Sequence, residues 1–367
     1  MTRASGTHAT EPIEVLSAFT LPGPVRDCTR LAGGHINASW RVRPEGSEGR
    51  SYTLQRLNPH VFPDGQAVME NIRRVVARLS GGPDPRGCGC LRLVPLTSGA
   101  WWHTAGDGSH WRLYEFIDGT TTHDAATTPE LAEAAARAFG DFARRLSEPP
   151  LDLAETLPGF HDTRLRLRQL ESAMMRDAVG RAGDVADECA RVLDEVALAR
   201  TIPGALESGA IPRRVAHNDA KLGNVLFIEG TAEPCCVIDL DTVMPGTPLH
   251  DFGDLVRSMV SEASEDAEDS AGIHVRPEYY RAIARGFIDG MGRLLTQEEQ
   301  RMMPDAARSI ALEQAARFLA DYLDGDSYYR ITDPKQNLRR ARVQLALFER
   351  LRGSPQVSGT EQSEPGP

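Results

Sequence analysis

Apolar and polar positions alternate in short runs through the first third of the chain and recur at helical spacing through most of the rest. Cys28–Ala32 and Ser39–Val42 read as two strands joined by Gly33, Gly34, His35, Ile36 and Asn37. Tyr52–Asn58 reads as a third strand. Cys90–Val94 and Trp111–Ile117 read as further strands, separated by a hairpin around Ala105-Gly106-Asp107-Gly108. Between the third strand and Cys90, the apolar residues Val68, Met69, Ile72, Val75, Val76 and Leu79 predict a helix over Gln66–Leu79. From Pro129 onward Leu131, Ala135, Ala138, Phe139, Phe142 and Leu146 form an amphipathic stripe, and Asp184–Arg200 forms another. Helices are predicted again over Pro277–Arg293, Glu298–Leu323 and Asn337–Arg352. Residues 1–12 and 353–367 lack periodicity and read as disordered tails.

Composition narrows the partners. The formal net charge of −11 and pI near 5.5 argue against nucleic acid or an anionic membrane surface as the main partner. No apolar run approaches membrane-spanning length, and the first ten residues lack the apolar core of a signal peptide, so a cytoplasmic protein is expected. The six cysteines show no framework of repeated spacings; Cys88-Gly-Cys90 with Cys235-Cys236 departs from the usual zinc pattern, which favours reduced, mostly buried thiols. The acidic run Ser261–Ser270 reads as a solvated mobile loop.

The candidate chemistry is concentrated between Val215 and Arg257, which contains V-A-H-N-D-A-K-L-G-N-V-L-F, then C-C-V-I-D-L-D, then H-D-F-G-D. Asp219, Asn224 and Asp239 stand at a spacing used by phosphoryl-transfer enzymes built like protein kinases. In H-x-D-x-x-x-x-N the aspartate meets the acceptor hydroxyl and the asparagine turns back to a metal. That reading makes Asp219 the base or hydroxyl-orienting group and Asn224 a Mg²⁺ ligand. A buried strand through Val237 and Ile238 would deliver Asp239 to the same metal, for which hard oxygen donors are suited. The competing interpretation is an ordinary β-hairpin whose Asp and Asn residues make turns and caps. Agreement of the hairpin, the loop and the metal positions favours the former.

The upstream turn fits the same chemistry. Gly33 and Gly34 allow a close backbone approach, as in a flap over ATP phosphates, although a simple tight hairpin would use them equally well. Protein kinases place a lysine on the third strand; here Gln55 stands at that position, with Arg56 on the opposite face. Glu70 is the matching helix glutamate, or simply a solvated residue. The backbone of Glu115–Ile117 falls where adenine would be bound.

These residues carry a resemblance. G-G-H-I-N (33–37), Y-T-L-Q-R-L-N (52–58), V-F-P-D (61–64), A-F-G-D-F (138–142), F-H-D-T (160–163), H-N-D-A-K-L-G-N-V-L (217–226), V-I-D-L-D-T-V-M-P-G (237–246) and R-F-L-A-D-Y-L-D-G-D (317–326) resemble the aminoglycoside phosphotransferase-like kinases, most closely the N-acetylhexosamine 1-kinase branch. The resemblance implies an α+β, two-lobed protein-kinase-like fold. A small lobe over residues 13–117 would carry a five-stranded antiparallel sheet and one main helix. A larger, mainly helical lobe would follow over 118–352. It implies ATP as co-substrate, Mg²⁺, and transfer to a sugar hydroxyl, the anomeric 1-OH of an N-acetylhexosamine, by a monomer or weak homodimer. Gln55 fits that branch. His217 and Asp251 would support the catalytic loop, Asp241 would reach a metal through water or hold a turn, and Arg317, Tyr328, Thr242 and His35 would contact the sugar. Ser258 stands where an aromatic residue is expected, which leaves the pocket shape open. The alternatives are a kinase of another small hydroxylated substrate, of aminoglycoside, choline or homoserine type, and a nucleotide-binding pseudokinase suggested by Gln55.

Overall fold

The computed structural model describes residues 10–31, 36–81 and 90–354. The first lobe begins with a short helix α1 (Pro12–Leu16) and strands β1 (Val25–Arg30), β2 (Ala38–Pro44) and β3 (Tyr52–Arg56). Helix α2 (Gly65–Ser80) follows, then β4 (His103–Thr104) and β5 (His110–Glu115). The strands make one antiparallel sheet in the order β1-β2-β3-β5-β4, so β3 and β5 lie side by side and Gln55 is paired with Arg112. The segment Cys90–Val94, expected as a strand, makes only a bridge from Leu93 to Tyr114; the fourth strand is instead the two-residue β4. The expected N-terminal tail is ordered where it is described: the Thr10 amide donates to Asp107 and α1 starts at Pro12. The rest of both tails, the Gly33–Gly34–His35 turn and Cys88 lie outside the described residues.

The sheet has two differently covered faces because strand side chains alternate. Val42, Leu54, Trp111 and Leu113 pack with Val15, Leu16 and Phe19 into a core belonging to this lobe. Helix α2 joins the main core of the second lobe. Its Asn71 side chain is buried and clamps the lobes together, donating to the Ala154 and Val243 carbonyls and accepting from the Ala154 amide.

The second lobe opens with β6 (Thr120–Thr121), which pairs with a later hairpin, and continues through α3 (Pro129–Ser147), α4 (Thr163–Arg176), α5 (Ala186–Leu193) and α6 (Val196–Ser208). The continuous stripe expected over Asp184–Arg200 is broken at Asp194–Glu195 into α5 and α6, and α4 has no counterpart in the sequence reading. Four short strands then carry the candidate chemistry: β7 (Arg214–Ala216), β8 (Val225–Ile228), β9 (Pro234–Val237) and β10 (Met244–Gly246). β8 pairs with β9 and β10 with β7, so the two chemistry-bearing loops end beside each other. Helices α7 (Pro248–Met259), α8 (Pro277–Met291), α9 (Gln297–Leu323) and α10 (Gln336–Arg352) complete the lobe.

Helix α9 is buried around much of its circumference, as a central core helix should be. A reciprocal cap between Thr296 and Glu299 fixes its start. The acidic run after α7 is tethered where a free loop was expected: Glu265 pairs with Arg257, and Asp266 with Gln336 and Arg340. No helix among the described residues is long and apolar enough to cross a membrane.

Helices α3 and α8 cross so closely that side chains are excluded from the contact. A β-carbon on Gly286 or Gly290 would fall on the Glu133 or Arg137 carbonyl oxygen, and one on Gly140 would lie 2.7 Å from the Phe287 oxygen. Because backbone cannot move aside as a side chain can, Gly286→Ala should destabilise the protein by about 1–3 kcal/mol or more. Gly183→Ala, with open space around its β-carbon, should change the thermal midpoint far less. Equal midpoints for the two variants would contradict the close crossing.

Candidate active site

The loop after β7 is shaped by its own hydrogen bonds before any ligand is considered. Asn218 adopts a left-handed backbone conformation (φ 63°), which Asn tolerates better than most residues. Its side-chain amide donates to the Ala216 and Thr242 carbonyls. Buried Asp251, in the first turn of α7, accepts the His217 amide at 2.8 Å and the Asn218 amide at 2.7 Å. Burial still pushes the Asp251 carboxyl up to about 7, against those two N–H donors. His217 lies edge-on to Phe139 and Phe142, and its Nε2 donates to the Ile238 carbonyl at 3.0 Å. Burial lowers its pKa to about 4, so the ring is neutral.

The same contacts bring the second loop alongside. The Ile238 amide donates to the Asn224 carbonyl at 2.9 Å, so Ile238 is held from both sides and the next residue, Asp239, is delivered beside Asn224 and Asp219. Asp239 is itself left-handed (φ 62°). The Asn224 amide nitrogen donates to Asp219 Oδ2 at 2.9 Å, and Lys221 Nζ approaches the same oxygen at 2.8 Å.

Each carboxylate at this point has a different electrostatic fate. Burial would raise the Asp219 pKa, but Lys221 and the Asn224 hydrogen bond hold it at about 2. Asp241 is gripped by Arg112 through both guanidinium nitrogens and accepts a further bond from Asn37. Asp239 has no such cation of its own. Although the residue is exposed, desolvation by the surrounding protein, then repulsion from Asp241 and Asp219, pushes it up to about 7 against the pull of Lys221 and Arg112. A hard divalent cation suits this donor set of carboxylate and carboxamide oxygens. Among the described residues no three acidic, His or Cys side chains form a cage alone, so such an ion would need oxygens from a phosphate or water as well.

The third-strand position is explained by its neighbour. Gln55 Oε1 accepts from Arg112 Nε and Nη2 at 3.0 and 2.8 Å, while Gln55 Nε2 donates to Ser39. The fixed positive charge therefore comes from Arg112 on β5, fully buried beside Asp241. Glu70 is engaged within its own helix by Arg73 and Arg74 and makes no bond to this group. Sequence reasoning missed Arg112 and Lys221. The available signal was an arginine inside the apolar run W-R-L-Y, directly across from an unusual Gln55.

At the junction of the lobes the Glu115 amide donates to Arg92 O, and Thr120 Oγ1 donates to Ile117 O. An adenine edge read here would use the Glu115 carbonyl and the Ile117 amide. On the other side of the loop, Arg317 and Tyr328 line one cavity of about 790 Å³, with the guanidinium 6.0 Å from the Tyr328 ring. Thr242 lies elsewhere: its buried hydroxyl donates to the His217 carbonyl and helps hold the loop. Gly33, Gly34 and His35 cannot be placed because they fall outside the described residues.

His161, unassigned from the sequence, connects that cavity to the loop. Its Nδ1 lies 2.9 Å from Glu313 Oε1 and its Nε2 3.1 Å from the Asn218 carbonyl. Both partners are acceptors, so both ring nitrogens carry protons. Burial opposes the charge, but Glu313 raises the pKa above the ordinary 6.5. Neighbouring His250, 4.9 Å away between ring centres, is driven down to about 3 by burial and the His161 charge. Arg317 stands 3.9 Å from Glu313, and Asp254 adds a further favourable charge for His161. A raised histidine pKa stabilises the fold fully below the unfolded value and ceases to do so as pH rises through the folded value. The Tm advantage of wild type over Glu313→Gln should therefore be greatest below about pH 6.5 and shrink on the alkaline side of neutrality. A pH-independent difference would contradict a charged His161.

Residues 27–295 match a family model described as the phosphotransferase enzyme family. Among solved structures, a microcompartment-associated aminopropanol kinase is similar over 94% of this chain and 97% of its own, with TM-score 0.59 and 16% identity. An aminoglycoside phosphotransferase from Alicyclobacillus acidocaldarius matches over 96% and 99%, with TM-score 0.58 and 19% identity. A choline kinase from Cryptosporidium parvum covers 91% of each chain, with TM-score 0.57 and 13% identity. At these identities the solved structures speak for the fold, the two-lobed kinase-like arrangement described above.

Proposed function

The chain belongs to the phosphotransferase enzyme family, and from that premise we propose that it transfers the γ-phosphoryl group of ATP to a hydroxyl of a small acceptor. The acceptor we favour is a sugar, with the anomeric hydroxyl of a 2-acetamido hexose as the reacting group. What supports the reading is the hydrogen bond from Asn224 to Asp219, with Asp239 near enough for Asp219 and Asp241 to raise its pKa by repulsion. Asn224 and Asp239 would hold Mg²⁺ together with phosphate oxygens. Bound there, the ion would neutralise charge on the transferring group.

The protein groups have separable roles. Asp219, held at about 2, is too weak a base to remove an alcohol proton before bond making begins. Its work is to orient the hydroxyl and accept the proton late, which suits a loose phosphoryl-transfer transition state. Lys221 keeps Asp219 ionised, while Asp251 and His217 hold the loop that aims it. Arg112 contributes the buried positive charge that a lysine gives in protein kinases, which weakens the pseudokinase reading that Gln55 suggested.

The sugar assignment rests on the sequence resemblance, with Arg317 and Tyr328 in the cavity as its contacts. The solved relatives are named for aminopropanol, an aminoglycoside and choline, so an amine-bearing alcohol is the rival acceptor class.

ADP release measured across N-acetylglucosamine, N-acetylgalactosamine, free hexoses and aminoglycosides tests the class directly. With the best acceptor, Asp219→Asn should lower kcat by about two to four orders of magnitude while leaving nucleotide affinity within about twofold. A variant turning over at the wild-type rate would remove Asp219 from the mechanism. Turnover confined to aminoglycosides would replace the sugar reading.

A further inference from the structure

The cavity holding Arg317 and Tyr328 has a charge pattern that the sugar assignment does not explain. The chain as a whole carries −11, yet four arginines and only two aspartates line this one space. Both aspartates are already engaged. Asp324 accepts two bonds from Arg176, at 2.8 and 2.7 Å, and the two oxygens of Asp321 cap the Tyr328 and Tyr329 amides at 2.8 and 3.0 Å. Asn337 adds a third donor to Asp321.

That leaves Arg166 and Arg168 without a carboxylate in ion-pair contact, while Arg317 shares Glu313 with His161. Arg166 donates to the Phe160 carbonyl and to Gln169, both neutral. Burial and the like charge of Arg317 lower its pKa, the reverse of the effect an ion-paired arginine experiences. Arg317 is stacked among the rings of Phe160, Tyr328 and Tyr329, and its nearest carboxylate, Glu313 at 3.9 Å, is already committed to His161. Arg168 stands exposed at the rim and, among the described residues, has no hydrogen-bond or ion-pair partner. The one carboxylate acting on both Arg166 and Arg317, Glu313, also serves His161, so this wall keeps an excess of positive charge that a bound anion would relieve. Planar guanidiniums converging on a point suit carboxylate or phosphate oxygens.

The cavity also lies close to the loop that carries Asp219. Phe160 lines it and precedes His161, whose Nε2 is bonded to the carbonyl of Asn218, the residue before Asp219. Val61 and Pro63 of the first lobe complete its wall, so it opens between the lobes.

We propose that the acceptor carries an oxyanion, a carboxylate or phosphate, at a distance from the hydroxyl that is phosphorylated, and that Arg166, Arg317 and Arg168 bind it. This rests on the phosphotransferase reading and narrows its substrate class: the acceptor is an acidic sugar, and amine-bearing acceptors are disfavoured by the same charges. The arginines bind and orient, and the transfer itself is unchanged.

Titration calorimetry of the full chain, with a non-hydrolysable ATP analogue present, is run with four probes: N-acetylglucosamine, its 6-phosphate, its C6 uronic acid and glucosamine. ADP release with ATP is followed on the same probes. One or both anionic probes should bind at least about tenfold more tightly than the neutral sugar, with an advantage that falls as salt is raised. Arg168→Gln, at an exposed position where folding is not at risk, should remove at least about threefold of that preference. Arg166→Gln should remove more. A phosphate-only or uronate-only preference identifies which oxyanion is used. The inference is overturned if neither anionic probe binds, if the neutral or amine sugar binds as tightly as the anionic ones, or if Arg168→Gln leaves the preference intact. ADP release from the neutral sugar in those cases would leave the phosphotransferase reading standing; absence of ADP release with every hydroxylated acceptor, while the analogue still binds, would sink that reading itself.

Discussion

Three carboxylates from two adjacent loops, only Asp241 of them buried, are brought close together, and the protein supplies close ion-pair partners for two of them. Lys221 answers Asp219, and Arg112 answers Asp241 from the opposite lobe. Asp239 makes no close ion pair, and desolvation with repulsion from Asp241 and Asp219 outweighs the more distant attraction of Lys221 and Arg112, raising its pKa to about 7. Such an arrangement is unfavourable in isolation, because like charges held close together repel one another even where solvent reaches them. It becomes intelligible when a mobile cation and a polyanion complete it. The strain in the backbone points the same way, with both Asn218 and Asp239 held at positive φ by the bonds around them.

The Arg112–Asp241 pair has a second consequence. Arg112 lies in the first lobe's sheet and Asp241 in the second lobe, and Asn37, at the end of the glycine turn, donates to the same carboxylate. The Asn37 side-chain oxygen Oδ1 in turn accepts the Asn58 backbone amide. One acidic side chain therefore ties the sheet, Asn37 and the loop after β9 together. Asn71 on α2 makes a parallel connection to the loop around Val243. Lobe closure and assembly of the charged site are thus coupled through a few buried polar contacts.

Much of this was legible in the sequence because the chemistry is local. The H-x-D-x-x-x-x-N stretch and the I-D-L-D that follows lie between His217 and Asp241, and the β8–β9 hairpin needs only its own apolar alternation to form. The elements that escaped are those defined by distant partners. Arg112 is meaningful only beside Gln55 and Asp241, which are far from it in the chain. His161 acquires its role from Glu313, 152 residues away. Helix α4 is rich in arginine and shows a weak apolar stripe, so periodicity did not announce it, yet it supplies much of the cationic wall. The acidic run after α7 looked solvated because its arginine partners lie on α7 and α10. Cys90–Val94 had the composition of a strand but pairs with β5 at one bridge only.

The account stands on Asp239 being a ligand that awaits its cation. Binding of Mn²⁺ in the presence of ADP, followed by electron paramagnetic resonance in wild type and Asp239→Asn, tests that most directly. The account predicts at least about a tenfold loss of Mn²⁺ affinity in the variant, with ADP binding in the absence of metal little changed. Equal Mn²⁺ affinity in the two proteins would contradict it.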